Sequence, residues 1–247
     1  MIIRLDNYKL GNKIASLALS KEAFKNLTQK HLNIIYLEKK NLFFYPEKQI
    51  VPLTEKQADL FKQCDSYDVF QINESGQAYK YYDNENGDNA FMLTEACNSN
   101  CIMCPATERM RRNKQAVAVD EILQIIRQMP SDAKHITITG GDPFLIGERI
   151  FEIFAAFKEK CQRTHFLLLT NGRALSYEPY IRKFHETAPN RILVGIPLHG
   201  YNAYTHDKIT RSPGGFEQTA QGIKNLLNFG HKVEIRIVVS KLNLNYS

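Results

Sequence analysis

The chain has no tryptophan, so its ring chemistry rests on 12 tyrosines and 14 phenylalanines. No run of apolar residues approaches the roughly 20 that a membrane span requires, so no spanning helix is expected. The first residues, Met1-Ile-Ile-Arg-Leu-Asp6, meet charge at once, and no signal peptide is read there. Cysteine is sparse: five residues, an odd number in a chain that is neither short nor cysteine-dense, argue against a disulfide framework. These absences point to the reducing cytoplasm, where exposed thiols survive to bind metal. No motif recurs at a fixed period, which excludes a solenoid. Nor does one charge sign dominate: 32 Lys and Arg stand against 26 Asp and Glu, a net charge of +6 that leaves acidic partners open without naming one. The densest basic run is Arg109-Met-Arg111-Arg112-Asn-Lys114. Such a run is ordinarily a solvated face, and its functional reading is docking of an acidic electron donor or substrate. Aromatic residues are not interleaved with it, so nucleic acid is not an expected partner.

At 247 residues the chain accommodates one large domain or two unequal ones. The clearest seam is Asp83-Asn-Glu-Asn-Gly-Asp-Asn89, seven residues without a large apolar side chain. It divides the sequence into an N-terminal α+β accessory domain (1–82), a linker (83–89) and a second domain (90–247). In the first, strands are expected at Asn33–Leu37 and Leu42–Tyr45, a capped helix from Glu55 to Cys64 after Thr54, and a hairpin over Val69–Ile72 and Ala78–Tyr81. No chemical motif is found there. Beyond the seam, strands expected at Phe91–Glu95, His135–Thr139, Phe166–Thr170, Arg191–Ile196 and Val233–Val239 alternate with helical patterns. Those patterns cover Val119–Met129, Gly147–Lys160, Pro179–Glu186 and Phe216–Phe229. This rhythm demands parallel crossovers and predicts an α/β fold, a β/α barrel or part of one.

Barrels place chemistry on the loops at the carboxyl ends of their strands, and the distinctive residues fall there. After the first strand comes Thr94-Glu-Ala-Cys97-Asn-Ser-Asn-Cys101-Ile-Met-Cys104-Pro. Its C-x3-C-x2-C spacing supplies three thiolates, one fewer than a four-iron cluster needs, so one iron would stay open to a chelating small molecule. Structural zinc is the alternative, but it usually takes two short Cys/His pairs set well apart. Here Cys64 and Cys161 are isolated. Gly140-Gly141-Asp142-Pro143 follows the second strand, Thr170-Asn171-Gly172 the third, and Pro197-Leu-His199 the fourth, while Glu234-Ile-Arg236 lies in the fifth. Singly these read as turns or a satisfied histidine. Together, behind the triplet, they read as one rim.

The order of triplet, Gly-Gly-acid-Pro, Thr-Asn-Gly, His206-Asp207 and an Arg-bearing strand resembles the radical S-adenosylmethionine (radical SAM) superfamily from about Phe91 onward. Within it, Gly195-Ile-Pro-Leu-His199, Gly215–Gly222 and Val233–Val239 are similar to the His-Xaa-Ser system maturases, which modify peptides. The resemblance implies a [4Fe-4S] cluster on Cys97, Cys101 and Cys104. SAM would chelate the open iron and be cleaved reductively to methionine and a 5′-deoxyadenosyl radical, which takes hydrogen from a peptide or small-protein substrate. By the same resemblance Met103 lies near the adenine, Gly140, Gly141 and Asp142 receive the SAM amino group, Asn171 hydrogen-bonds SAM, and Arg236 pairs with its carboxylate. No side chain stands out as a general acid or base. A one-electron donor such as a flavodoxin is implied.

Three departures qualify the match. Asp142 stands where the family usually has glutamate. Pro197 and His199 occupy positions where a serine and an aspartate commonly face ribose and substrate. Only five of the six usual barrel strands are counted, so the expected core is a partial (β/α)6 TIM-type barrel that stops after the fifth. A truncated product, a fragment, or completion by a second maturase subunit would each account for that.

Overall fold

The computed structural model describes residues 1–112 and 117–244; Lys114 of the basic run and Asn245-Tyr-Ser247 lie outside the described residues. The chain forms two compact units, Met1–Asn89 with Asp120–Ala133, and Ala90–Val119 with Lys134–Ser247.

The first unit is built on a seven-stranded sheet. Its strands are β1 (Ile2–Arg4), β2 (Lys13–Ala18), β3 (Ile34–Glu38), β4 (Asn41–Tyr45), β5 (Gln49–Pro52), β6 (Val69–Ile72) and β7 (Gln77–Tyr82), in the order β1-β7-β6-β2-β3-β4-β5. The pairing is antiparallel except for β2 with β3, which α1 (Lys21–Gln29) connects. Successive residues of a strand face opposite sides, so Leu17 and Ile35 enter one core with Phe61 of α2 (Glu55–Lys62), while Ala18 and Ile34 enter another with Leu27 of α1. The expected helix after Thr54 is present and carries a full capping box: Thr54 accepts from the Gln57 amide and Gln57 reaches back to the Thr54 amide. Strand β2 escaped the sequence reading because Lys-Ile-Ala-Ser-Leu-Ala is buried on both faces and shows no alternation.

The polar seam is a hydrogen-bonded turn. Asn89 Oδ1 accepts from the Asp83 amide at 2.9 Å and Asn89 Nδ2 donates to the Asp83 carbonyl at 2.9 Å. The strand that follows, β8 (Asp88–Met92), therefore starts three residues before the expected Phe91. Later in the chain come α3 (Glu108–Arg112) and α4 (Val119–Gln128). The segment Asp120–Ala133, though late in sequence, packs with the first unit. Ser16 Oγ donates to the Gln128 carbonyl at 2.9 Å, and Gln71 Nε2 donates to Glu121 at 3.1 Å.

The second unit carries a five-stranded sheet among the described residues, ordered β12-β11-β10-β9-β8. Strands β9 (His135–Thr139), β10 (His165–Leu169), β11 (Ile192–Pro197) and β12 (Lys232–Arg236) are parallel to their neighbours in that series. This is the expected α/β architecture of a partial barrel core. Helices α5 (Ile150–Lys160), α6 (Glu178–Thr187), α7 (Ala203–Thr210) and α8 (Gly215–Asn228) follow the strands. Ile150, Phe151, Phe154 and Phe157 are all buried, as the stripe predicts. Helix α5 begins at Ile150 rather than Gly147, because Gly147 takes φ 80°, a left-handed value that breaks the helix. Strand β12 ends at Arg236, so Ile237–Val239 lie beyond the ladder. Helix α7 was not foreseen; Asn202 caps it by accepting from the Thr205 amide at 2.9 Å.

Candidate active site around the cysteine loop

In a parallel sheet every carboxyl end lies along one edge, and the loops gathered there build the site. The cysteine loop after β8 is held to the loop after β9 by backbone. The Gly141 amide donates to the Thr94 carbonyl and the Asp142 amide to the Ala96 carbonyl, each at 2.7 Å. A Cβ on Gly141 would sit 2.2 Å from the Ala96 carbonyl oxygen, and one on Gly140 would sit 2.6 Å from that of Thr94. Two glycines are thus required by the approach of the strand end that carries Cys97.

The buried Asp142 carboxylate then joins the second loop to the third. Oδ1 accepts from the Phe144 amide at 3.1 Å; Oδ2 accepts from Thr170 Oγ1 at 2.8 Å and from the Asn171 amide at 2.9 Å. Burial raises its carboxyl above the usual range, against these donors and the charge of Arg173. Asn171 reaches the cysteine loop directly, donating from Nδ2 to Asn98 Oδ1 at 2.5 Å.

Arg173, which the sequence reading missed, extends this link. Its Nη1 donates to the Asn98 carbonyl at 2.6 Å and to Ser212 Oγ at 2.7 Å, and its Nε donates to Gln218 at 2.7 Å. The loop is also anchored on α7: the Asn100 amide donates to the Thr210 carbonyl at 2.9 Å and the Ile102 amide to the Ile209 carbonyl at 3.0 Å. The only advance signal for Arg173 was its place beside Thr-Asn-Gly.

Cys97, Cys101 and Cys104 are partly exposed free thiols, whereas Cys64 and Cys161 are buried. Burial raises the Cys97 thiol and pushes that of Cys101 up to about 11, and in both the charges of neighbouring cysteines add to the shift. Three partly exposed thiols on one short, hydrogen-bonded loop form a donor set suited to a thiophilic cluster. The residues present therefore fit the group the spacing implies. Met103 lies within the same loop, partly exposed.

Arg236 ends β12, opposite Pro197 in register. Its side chain is 42% exposed, pairs with Glu234 at 2.5 Å, and passes over Gly195, where an added Cβ would meet Nε at 3.0 Å. His199 is buried: Nδ1 accepts from the Val238 amide at 3.3 Å, and its carbonyl accepts from Asn243 Nδ2 at 3.0 Å. It stacks on His206 with centroids 5.9 Å apart, and the His206 Nδ1 accepts from the His199 amide at 3.2 Å. Burial, with His206 beside it, pushes His199 down to about 4. Asp207 caps α8, accepting from the Gly214 amide at 2.7 Å and the Phe216 amide at 2.8 Å.

A parallel sheet with a three-cysteine loop buttressed at its carboxyl edge places the chain among α/β proteins that carry their site on such an edge. The radical SAM superfamily model matches residues 91–244, and the chain belongs to that superfamily. It is similar to the AdoMet-dependent heme synthase of Methanosarcina barkeri, 33% identical over 63% of this chain and 43% of that protein. The subtilosin biosynthesis protein AlbA of Bacillus subtilis is 29% identical over 62% of this chain and 33% of its own length. Among solved structures, Streptococcus suis SuiB bound to precursor peptide SuiA shares the fold. Its TM-score is 0.52 at 16% identity, covering 64% of this chain and 34% of that one. The chain spans less than half the length of these relatives. No helix of the described residues is long and apolar enough to cross a membrane.

Proposed function

We propose that this protein binds a [4Fe-4S] cluster through Cys97, Cys101 and Cys104 and uses it with SAM to abstract hydrogen from a peptide or small-protein substrate. The observation that carries the reading is the cysteine loop, fastened to the Gly140–Asp142 and Thr170–Arg173 loops with its three thiols partly exposed. When bound and reduced, the cluster supplies one electron that cleaves SAM and generates the hydrogen-abstracting radical. The chain's own residues position these groups. In this reading the backbone of Gly140 to Asp142 receives the SAM amino group, Met103 lines the adenine side, Asn171 hydrogen-bonds SAM, and Arg236 swings from Glu234 to its carboxylate. Likeness to a bacteriocin biosynthesis protein supports a peptide substrate, as does the resemblance to the His-Xaa-Ser maturases.

Residues 1–82, as an accessory domain joined through 83–89, would dock that substrate, and a flavodoxin-type protein in the cytoplasm would supply the electron. A second maturase subunit fits the same scheme. The heme synthase similarity favours a second reading, the same chemistry on a small metabolite. Anaerobic reconstitution with iron and sulfide, then SAM and dithionite, is expected to release 5′-deoxyadenosine. Replacing any of the three cysteines by serine is expected to abolish both the cluster absorbance and that product. An intact cluster that yields no 5′-deoxyadenosine overturns the proposal, and recovery of zinc alone overturns the cluster.

A further inference from the structure

The basic run after the cysteine loop is not one face. Arg109 and Arg112 are exposed, and Arg112 pairs with Glu108 one turn back on α3. Arg111, between them, turns inward. Its Nη1 donates to the Ala106 carbonyl, beyond Cys104, and its Nη2 donates to Asn100 Oδ1, just before Cys101. Its backbone carbonyl accepts from the Cys97 amide at 3.1 Å. One residue therefore grips the loop beside all three cysteines. Its Nε lies buried with no hydrogen-bond partner among the described residues. An orphaned buried N–H of that kind is costly unless something accepts from it. On a loop that carries three partly exposed thiols, sulfur is an acceptor at hand.

We infer that Arg111 is a positioning residue that clamps the cysteine loop and turns its Nε–H and charge toward the sulfur of the bound cluster, raising the cluster's reduction potential. This rests on the cluster reading above. Reduction adds one negative charge to the cluster, so a fixed cation and an N–H···S bond favour the reduced form.

The test is a redox titration of the reconstituted full chain, followed by electron paramagnetic resonance, on the wild type, R111Q, R111K and the exposed control R112Q. At fixed potential, R111Q is expected to lower the reduced-to-oxidised ratio about tenfold, which is about 59 mV for a one-electron couple. R111K is expected to shift it less, and R112Q not at all. Equal potentials for wild type and R111Q overturn the inference. Should R111Q hold no cluster, R111K decides: iron retention below wild type supports the clamp, while retention and potential both equal to wild type overturn it. Hydrogen exchange at the Cys97 amide of the metal-free chain tests the clamp separately, with faster exchange expected in R111Q. A wild type that takes up zinc but no cluster overturns the functional reading instead, and leaves the exchange result to judge the clamp.

Discussion

Two buried aspartates show how differently the two units use the same chemistry. Asp68, in the first unit, accepts from the Asn84 amide at 2.7 Å and the Asp65 amide at 3.0 Å, and Lys80 stands 3.3 Å away as its counterion. Asp142, in the second, accepts from Phe144, Thr170 and Asn171. Burial raises both carboxyls. Asp68 ties residues 65–84, a hairpin and the turn after it, and neutralises its charge locally. Asp142 ties the ends of two parallel strands 28 residues apart in sequence. Antiparallel strands close their polar groups over short stretches, whereas parallel strands deliver distant loops to one edge. The first arrangement stabilises a fold, and the second assembles a site.

Three measurements press on that contrast. The largest expected effect is on stability: Asp68→Ala leaves the Asn84 and Asp65 amides without their acceptor, although Lys80 keeps Asp83, and should cost about 2–4 kcal/mol. Denaturant unfolding would register it, while iron loading per folded chain should stay at the wild-type level. Asp142→Ala should cost a similar amount, about 2–4 kcal/mol, yet it should lower iron and sulfide retention because Asn171 and the cysteine loop lose their common anchor. Equal retention in both variants would erase the distinction. The smallest effect is pH-dependent. The folded value of His199 lies near 4, below the ordinary 6.5, so the unfolded chain binds more protons between them. Its contribution is therefore complete above pH 6.5 and is lost as pH falls toward 4, at roughly 1.4 kcal/mol per unit of separation. His199→Gln should flatten that slope in urea melts between pH 4 and 7.

Much of the second unit was legible in advance because its signals are local. The strand periods, the C-x3-C-x2-C spacing and the phenylalanine stripe of α5 each lie within a short window. Glycine at 140 and 141 was also legible, although its cause differs: the resemblance implied approach to a ligand, and the structure shows approach to Thr94 and Ala96. Arg111 and Arg173 were hidden. Sequence reading treats an arginine near a charge run as solvated, and only packing can turn it inward. The early strand β2 was missed for a related reason, since a strand buried on both faces carries no period, and β1 is only three residues long.

The sequence by itself determined the cysteine spacing, the α/β order of the second unit and the succession of motifs behind the triplet, because each depends on neighbours along the chain. Tertiary structure alone decided the partners of those motifs. Asp142 meets Thr170, Arg173 meets Asn98, and Arg111 folds back on Asn100 and Cys97. Such contacts arise where parallel strands bring separated segments to one edge, and no spacing rule along a chain encodes which donor will find which acceptor there.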